Sequence, residues 1–333
     1  MGTKKFYTAL LILAILLAAA LVLSLKTGTV SISFSALFRL FAGGEVDPSV
    51  KTIIYQLRLP RTIMALVCGC SLSLAGVILQ SILKNPLAEP YLLGISSGAG
   101  LGVSLYVLLF QSAASYYLIQ PLAFAGSIAA VLVILAVAGI KRSLSSSTLI
   151  LTGVMVSSFC SSVIMILMAV REHEFAKIFF WLLGYLGGCE LKDAFVAGGF
   201  LIVSLIALLF YIRDMNALAA GDEAAVYAGV NVRKTKVVLI IIVSLLTGVC
   251  VSYAGMIGFV GLVVPYLMRL IAGSDHRKLI PLSLLAGSIL MLAADSVSRV
   301  ILAPVELPVG VITALVGVPF FLYIFLFHSK DGR

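Results

Sequence analysis

Residues 90–140 read PYLLGISSGAGLGVSLYVLLFQSAASYYLIQPLAFAGSIAAVLVILAVAGI and contain no charged side chain. One helix of this length would be roughly 75 Å long at 1.5 Å per residue, whereas about 20 residues cross a hydrocarbon core about 30 Å thick. The stretch therefore predicts two membrane spans. Pro121, with the polar residues 111–120 before it, predicts the break between them.

Uncharged stretches of this kind fill most of the chain. Of its 333 residues, 62% are hydrophobic and 11% are charged, whereas soluble domains carry roughly a quarter charged residues. Further uncharged runs cover residues 6–25, 62–83, 143–170, 194–212, 237–268 and 307–327, with a weaker one at 279–294. The run 237–268 is again too long for one span, and Gly255, Gly258, Gly261 and Pro265 offer places to turn. We predict an all-α polytopic membrane protein with about ten transmembrane helices, the eighth short, in a single domain spanning residues 1–333.

The distribution of lysine and arginine predicts the orientation. With the amino terminus inside, the inner segments hold 14 of the 23 Lys and Arg residues and the outer segments hold 9. This bias agrees with the positive-inside rule and predicts that both termini are cytoplasmic. The net charge of +9 then follows from topology, so a nucleic-acid partner is not expected and membrane lipid is. The first run, at about 20 residues, exceeds the 7 to 15 of a signal-peptide core, which predicts a retained span.

No metal or nucleotide site is predicted for this chain. The five cysteines fall mostly within predicted spans, where free cysteine usually acts as a small hydrophobe, and the three histidines lack ligand spacing. No Gly-x-x-x-x-Gly-Lys-Ser/Thr segment occurs, so ATP would have to be hydrolysed by another subunit.

The first polar constellation is Gln56-Leu-Arg-Leu-Pro-Arg61, at the outer edge of the second span. Arg58 and Arg61 are three residues apart and so share a helix face or the turn leading into it. One explanation is snorkelling into lipid headgroups. A pair of guanidinium groups on one outward face also suits an anionic partner.

The second constellation is Asn85-Pro-Leu-Ala-Glu-Pro90, followed by a Gly/Ser-rich stretch at residues 94–100. The two prolines predict a tight cytoplasmic turn between spans two and three. The small residues favour close helix packing, and a phosphate cradle is not favoured because no strand precedes them.

The third constellation, residues 221–236, is the longest polar segment that the topology places in the cytoplasm. Residues 222–228 predict a short helix with acids in its first turn and Gly229 as its stop, followed by a second short amphipathic stretch. A plain connection could be much shorter, so a docking surface is favoured over a linker.

The fourth constellation begins with Gly255 to Leu270, which is rich in glycine and holds Pro265. Irregular backbone at membrane depth occurs only where protein or a watery cavity covers it, which points to a pathway or a dimer seam. Asp295 and Arg299 follow, four residues apart, and a local ion pair would explain both. Glu306-Leu-Pro-Val-Gly310 ends this set.

These constellations, in this order and spacing, resemble the permease family of iron(III)-siderophore, haem and cobalamin ABC importers, the FecCD type. The resemblance covers about residues 56–325. It rests on long segments: Arg58-Leu-Pro-Arg61, Asn85-Pro-Leu-Ala88, Gly258-Phe-Val-Gly261 to Arg269, and Glu306-Leu-Pro-Val-Gly310.

The resemblance implies a type II ABC importer permease fold in the cytoplasmic membrane of a prokaryote. The subunit would pair with a second copy of itself or a paralogous permease, around a path on the twofold axis. It would work with two ATP-binding cassette subunits, which use ATP and Mg, and with an extracytoplasmic substrate-binding protein. No cofactor is expected on this chain.

The resemblance also implies roles for individual residues. Arg58, Arg61 and Arg299 would dock the binding protein, and Gly258, Gly261 and Pro265 would form pathway or packing positions. Residues 213–236 would be the ATPase-coupling segment, with the contacts Asp222, Glu223, Ala224, Ala225, Gly229 and Arg233, although the Leu-Pro ending of other importer classes is absent. Ser145, Ser146, Ser147 and Thr148 would form a cytoplasmic gate, and any short cytoplasmic loop could look the same.

The function expected from this reading is import of an iron(III)-siderophore complex, with haem or cobalamin as alternative cargoes. The alternative from another class is a secondary transporter driven by an ion gradient, which broken helices near Gly258 and Pro265 would suit. Such transporters usually carry ionisable residues in mid-span, and the predicted span centres contain essentially none.

Overall fold

The computed structural model describes residues 3–109, 118–141, 143–170, 179 and 181–327, and the described residues form helices and turns without a strand. The fourteen α-helices in these ranges are α1 (Thr3–Lys26), α2 (Phe34–Phe41), α3 (Pro48–Thr52), α4 (Leu59–Leu83), α5 (Ile95–Leu109), α6 (Ile119–Ile140), α7 (Ser146–Val170), α8 (Leu191–Leu209), α9 (Ile212–Ala220), α10 (Asp222–Tyr227), α11 (Val232–Ala254), α12 (Val260–Ala272), α13 (His276–Ser298) and α14 (Val309–Phe327). A π-helical turn, Ile53–Arg58, joins α3 to α4, and a 3₁₀ turn, Pro90–Leu93, precedes α5.

Ten of the described helical segments are candidate spans by their apolar composition. Seven are long enough to cross a bilayer unaided: α1, the continuous helical segment Pro48–Leu83 that includes α4, α6, α7, α8, α11 and α13. Three shorter apolar helices, α5, α12 and α14, complete the set. The eighth span in chain order is α12, with 13 residues. The prediction of about ten helices with a short eighth is therefore confirmed.

The two long uncharged runs divide as expected, with one correction. Residues 90–140 supply α5 and α6, and the predicted break at residues 111–120 falls largely outside the described residues; Pro121 itself lies inside α6. Residues 237–268 break at 255–259, next to Gly255 and Gly258. Gly261 and Pro265 were expected to offer further turns, but both lie inside α12, which continues through the proline.

The helix α4 is the centre of the described bundle. Of its 25 residues, 21 are buried, and it contacts α13, α11, α12 and α8. By contrast, α1 packs on α13 and leaves most of its surface exposed, as a lipid-facing helix would. The difference lies in the small and polar side chains of α4, such as Gly69, Gly76 and Gln80, which suit contact with other helices better than contact with lipid.

Glycine lets the backbones of the central helices touch. A β-carbon on Gly69 would overlap the carbonyl of Gly287 in α13, and one on Gly76 would overlap the carbonyl of Gly261 in α12. Gly98 of α5 and Gly126 of α6 meet in the same way. Small residues serve this purpose in membrane bundles, where association depends on close packing of surfaces. The close packing predicted for the stretch at 94–100 is thus present.

The bundle has two ends that carry its polar groups. The start of α4, the end of α13 and the segment before α14 meet at one end, which we call the Arg61 end. The turn after α4, the start of α7 and the helices α9 and α10 meet at the other, which we call the Asp222 end.

Candidate functional site

Five charged residues form a cluster at the Arg61 end, and we call it the arginine cluster: Arg58, Arg61, Asp295, Arg299 and Glu306. Arg61 Nε donates to Asp295 Oδ1 at 2.7 Å, and Arg61 Nη1 donates to Glu306 Oε2 at 2.6 Å. Arg299 Nη2 lies 3.0 Å from the other oxygen of Asp295, an ion pair without hydrogen-bond alignment. The local pair expected between residues 295 and 299 is present, and it belongs to a larger network.

The two other arginines bind backbone carbonyls at the end of α1. Arg58 donates to the carbonyl oxygens of Leu25, Lys26 and Val30. Arg299 donates to the carbonyl of Thr27 at 3.1 Å and to Ser24 Oγ at 3.0 Å. These contacts satisfy carbonyls that a helix end leaves without a partner. The cluster therefore ties α1, α4 and α13 together.

The burial of these arginines differs from the expected outward-facing pair. Arg58, Arg61 and Arg299 are 5, 6 and 3% exposed, so in this conformation they are held inside the chain. The expectation of a free, outward arginine face is corrected, because each guanidinium already has partners from distant segments. Whether the cluster also receives a binding protein stays a prediction.

Glu306 is the most accessible acid of the arginine cluster. Partial burial raises its pKa, but the hydrogen bond from Arg61 and the nearby positive charge outweigh this, so its pKa lies below the ordinary value. The Tyr185 hydroxyl also donates to Glu306, at 3.1 Å. A carboxylate held in this way stays ionised at neutral pH.

At the Asp222 end, the segment predicted to contact an ATPase folds largely as its sequence predicted. The helix α10 starts with Asp222 and Glu223, and Gly229 stops it in the left-handed conformation, with φ +79°. Ala225 is buried and anchors the helix. The expected second short amphipathic stretch is wrong: residues from Val232 onward are the first turns of the long α11, and the second short helix is α9, which comes before α10.

The exposed side of α10 carries apolar side chains. Tyr227 is 92% exposed and Val226 is also exposed, next to Glu223 and Ala224. Arg233 is exposed at the start of α11. Large apolar groups on a polar surface mark sites of protein contact more often than chance.

Asp222 is held between two lysines. Its Oδ2 accepts from Lys236 Nζ at 2.7 Å, and its Oδ1 lies 2.9 Å from Lys84 Nζ. Burial raises the pKa of Asp222, but the two lysines outweigh it and the net shift is downward. The stabilisation from these pairs is therefore present above the ordinary carboxylate pKa and is lost only as pH falls through the lowered value.

Of the four residues expected to form a gate, Ser145 directly precedes α7 and the other three begin it. Ser145 Oγ lies 3.1 Å from Ser147 Oγ and 3.0 Å from Thr148 Oγ1, and it accepts a hydrogen bond from the Thr148 backbone N–H. Serine in this position is a helix cap. Ser146 Oγ donates to the carbonyl of Leu83 at 2.9 Å, which joins this turn to the end of α4.

Between the two ends, the segment 255–259 interrupts the helical structure. The carbonyl of Met256 lies near Gly310, at the start of α14. The ring of Phe259 packs on Gly317 of the same helix. Gly317 follows Gly310 by seven residues, which is roughly 10 Å along the helix axis. Phe259 has a φ of +68°, a strained conformation for an aromatic residue. The irregular backbone expected near Gly258 is therefore found, covered by protein.

Two side chains from the turn after α4 satisfy this interrupted backbone. The Tyr91 hydroxyl accepts from the N–H of Ile257 at 2.8 Å and donates to the same residue's carbonyl at 2.9 Å. The carboxylate of Glu89 accepts from the N–H of Phe259, the N-cap residue directly before α12. A carboxylate at a helix N-terminus is favoured by the helix dipole.

The sequence reading overlooked both residues. Glu89 is the only acid between Asp47 and Glu172, and an isolated acid in so apolar a stretch is a signal of a specific partner. Reading it as part of a solvated turn hid its role. Gly261, expected at a pathway or packing position, packs against Leu72 and Pro90.

The chain resembles known transport proteins over nearly its whole length. Residues 15–327 match the model of the FecCD transport family. The hemin transport system permease protein HmuU of Yersinia pestis is 36% identical, with 97% of this chain and 96% of that one covered. The Fe(3+)-citrate import system permease protein YfmE of Bacillus subtilis is 35% identical (98 and 97%), and the vitamin B12 import system permease protein BtuC of Escherichia coli O157:H7 is 37% identical (97 and 95%).

A solved structure agrees with these relatives. A chain in an inward-facing conformation, described as a metal-chelate type ABC transporter, superposes with a TM-score of 0.84 at 29% identity. The match covers 95% of this chain and 98% of that one. The predicted type II ABC importer permease fold is thereby confirmed.

We expect Arg61→Met to lower the free energy of unfolding by about 3–5 kcal/mol, because it leaves the fully buried Asp295 without its best partner. Lys192→Gln is the matched control. It breaks an exposed ion pair with Glu190, which should contribute about 0–1 kcal/mol. The measurement is denaturant unfolding of the detergent-purified protein. Equal stability of the two variants would show that Arg61 is not needed inside the fold and is free for a partner.

Glu89→Ala should lower the free energy of unfolding by about 1.5–3 kcal/mol, the range for a hydrogen bond to a charged group, because the N–H of Phe259 loses its acceptor. Glu89→Gln keeps an acceptor oxygen and should lose less. Glu45→Ala, at an exposed acid, is the control and should be neutral. If Glu89→Ala is as stable as Glu45→Ala, the contact does not hold the interrupted segment.

Proposed function

The chain belongs to the FecCD transport family, whose members are membrane permease subunits of ABC transporters, and we propose that this one imports an iron(III)-siderophore complex. In this family, ATP hydrolysis occurs in separate ATPase subunits, and the permeases work as dimers with those subunits and with substrate-binding proteins. The alternative of an ion-gradient transporter is not retained, because the full-length relatives are ABC permeases.

The choice of cargo rests on the family and on its relatives. A relative named for Fe(3+)-citrate supports a ferric chelate, and relatives named for haem and for vitamin B12 are equally similar, so these two remain the alternative cargoes. The part of the chain that the structure describes holds no group of three or more His, Cys, Asp or Glu residues placed to bind a bare metal ion. A cargo that keeps its metal wrapped in a chelator suits such a protein.

The observation that carries the proposal is the exposed face of α10 at the Asp222 end. A six-residue helix that presents Tyr227 and Val226 to solvent, beside Glu223 and Arg233, suits a protein partner. We place an ATP-binding cassette subunit on this face, one for each of two permease copies. The ATP and Mg would belong to that partner.

The translocation path would run along α7. This helix leaves Ser147, Ser158 and Ser162 exposed on one side, near Leu151 and Met155. Hydroxyl groups facing lipid are unfavourable, whereas a second copy and a watery path would accept them. The path would therefore lie on the twofold axis, with residues 145–148 as its cytoplasmic gate.

The arginine cluster would receive the binding protein at the opposite end. Three arginines face two acids there, so the cluster keeps one positive charge in surplus. A carboxylate on a docking protein would neutralise that charge. Arg58, Arg61 and Arg299 would then act from within the fold.

The proposed orientation follows from the location of α10. An ATPase works in the cytoplasm, so the Asp222 end would face inward in the cytoplasmic membrane of a prokaryote, with both termini inside. Closure of the ATPase dimer on ATP would move α10 and switch the spans between two packings as rigid bodies.

Uptake into proteoliposomes tests the proposal. The vesicles would hold this chain with a candidate ATPase and a candidate binding protein, and the substrates would be ferric siderophores, haem and cobalamin. We expect uptake of a ferric siderophore only when both partners and ATP are present. If haem or cobalamin is taken up and the ferric siderophores are not, the proposed cargo is wrong. If this chain transports without an ATPase and a binding protein, the assignment as an ABC importer permease is wrong.

The path is tested by thiol labelling. A cysteine at Ser158 should react with a membrane-impermeant maleimide in the assembled transporter, because water would reach it. Leu11→Cys is the control: this residue is 62% exposed on α1, yet lipid should shield it. Equal protection of both positions would remove α7 from the path.

A further inference from the structure

Lys236 is a buried lysine in the second turn of α11. Its side chain is 3% exposed, and its Nζ donates to Asp222 Oδ2 at 2.7 Å and to the carbonyl oxygen of Leu144 at 3.4 Å. Asp222 is the first residue of α10, and Leu144 lies in the turn before α7. One ammonium group thus contacts both α10, the proposed ATPase contact, and the turn at residues 143–148 that holds the proposed gate, which we call the gate turn.

A second set of contacts runs parallel to the first. Lys84 Nζ lies 2.9 Å from Asp222 Oδ1, and Lys84 directly follows α4. The carbonyl of Leu83 accepts from Ser146 Oγ in the gate turn, at 2.9 Å. Asp222 and the gate turn are therefore joined by two routes, one through α11 and one through the end of α4.

Packing alone does not account for a lysine at this position. Burying an ammonium group is unfavourable, and an apolar side chain of similar length is often as stable or more so. The Asp222 side chain is 42% exposed, so it could stay solvated without Lys236. What the lysine adds is a fixed connection between three segments that are otherwise far apart in sequence.

We propose that Lys236 is a positioning residue that transmits movement of α10 to the gate turn at residues 143–148. This inference rests on the proposed function, because it takes α10 as the ATPase contact and the turn as the gate. When the ATPase moves α10, Asp222 pulls on Lys236, and Lys236 moves the carbonyl of Leu144. Lys84 supports the same carboxylate from α4 but contacts the gate turn only through its neighbour Leu83.

The test is the ratio of substrate transported to ATP hydrolysed in the reconstituted complex. Lys236→Met keeps the length of the side chain and removes the ammonium group. We expect it to assemble with the ATPase and hydrolyse ATP within about twofold of the wild type, while transport per ATP falls at least tenfold. Lys236→Arg should recover most of the loss, since a guanidinium can reach both partners.

Lys84→Gln is the matched control, because it removes the more exposed lysine and leaves both contacts of Lys236 in place. We expect less than a twofold change in transport per ATP. A wild-type ratio in Lys236→Met, or equal effects of Lys236→Met and Lys84→Gln, would overturn the proposal.

A second measurement covers the case in which Lys236→Met does not fold. Asp222→Asn keeps an acceptor for Lys236 at a half-exposed site and should lower transport per ATP about threefold, with both rates measured per assembled complex because Asp222 also belongs to the proposed ATPase contact. An unchanged ratio would count against the link. The wild-type complex separates the proposed function from the role of Lys236. If the wild type shows no ATP-dependent transport, the proposed function fails. If the wild type couples ATP hydrolysis to transport and the variants are unaffected, only the role of Lys236 fails.

Discussion

Inside a bilayer, no water is present to pair the backbone N–H and C=O groups, so each group must find its partner within the protein. Continuous helices meet this requirement by themselves, whereas the segment 255–259 between α11 and α12 is not helical. The segment 255–259 does not meet it alone. Tyr91 and Glu89 supply the missing partners, so the turn after α4 and the start of α12 depend on each other.

The same requirement explains why α4 lies at the centre. Its neighbours approach it closely, through Gly69 and Gly76, and it connects the two polar ends of the bundle. Arg61 fixes its start to α13 through Asp295. Lys84 fixes its end to Asp222. A central helix restrained at both ends can tilt as a unit but is poorly suited to bend, which favours rigid-body movement.

The sequence allowed much of this architecture to be predicted, because hydrophobic length and local spacing are properties of one segment. The spans, the short α12, the break near Gly258, the short helix that Gly229 ends and the pair between Asp295 and Arg299 all follow from residues within a few positions of each other. The burial of Arg58 and Arg61 could not be predicted in this way. Their partners lie at the end of α1, more than 25 positions away, and in α13 and the segment before α14, more than 230 positions away.

The same limit explains why Glu89, Tyr91 and Lys236 were not recognised as connecting residues. Glu89 lay in a predicted turn, Tyr91 at the start of a predicted span and Lys236 at the end of the predicted docking segment. Only the fold brings Glu89 to Phe259 or Lys236 to Leu144. Their common property is that a polar side chain is held where solvent is scarce. Such a placement is unfavourable unless the partner is fixed in position. In this protein the fixed partners belong to the segment 255–259 and its neighbour α12, and to the turn that we propose as the gate, so under the proposed function these contacts join parts that an alternating-access cycle would move.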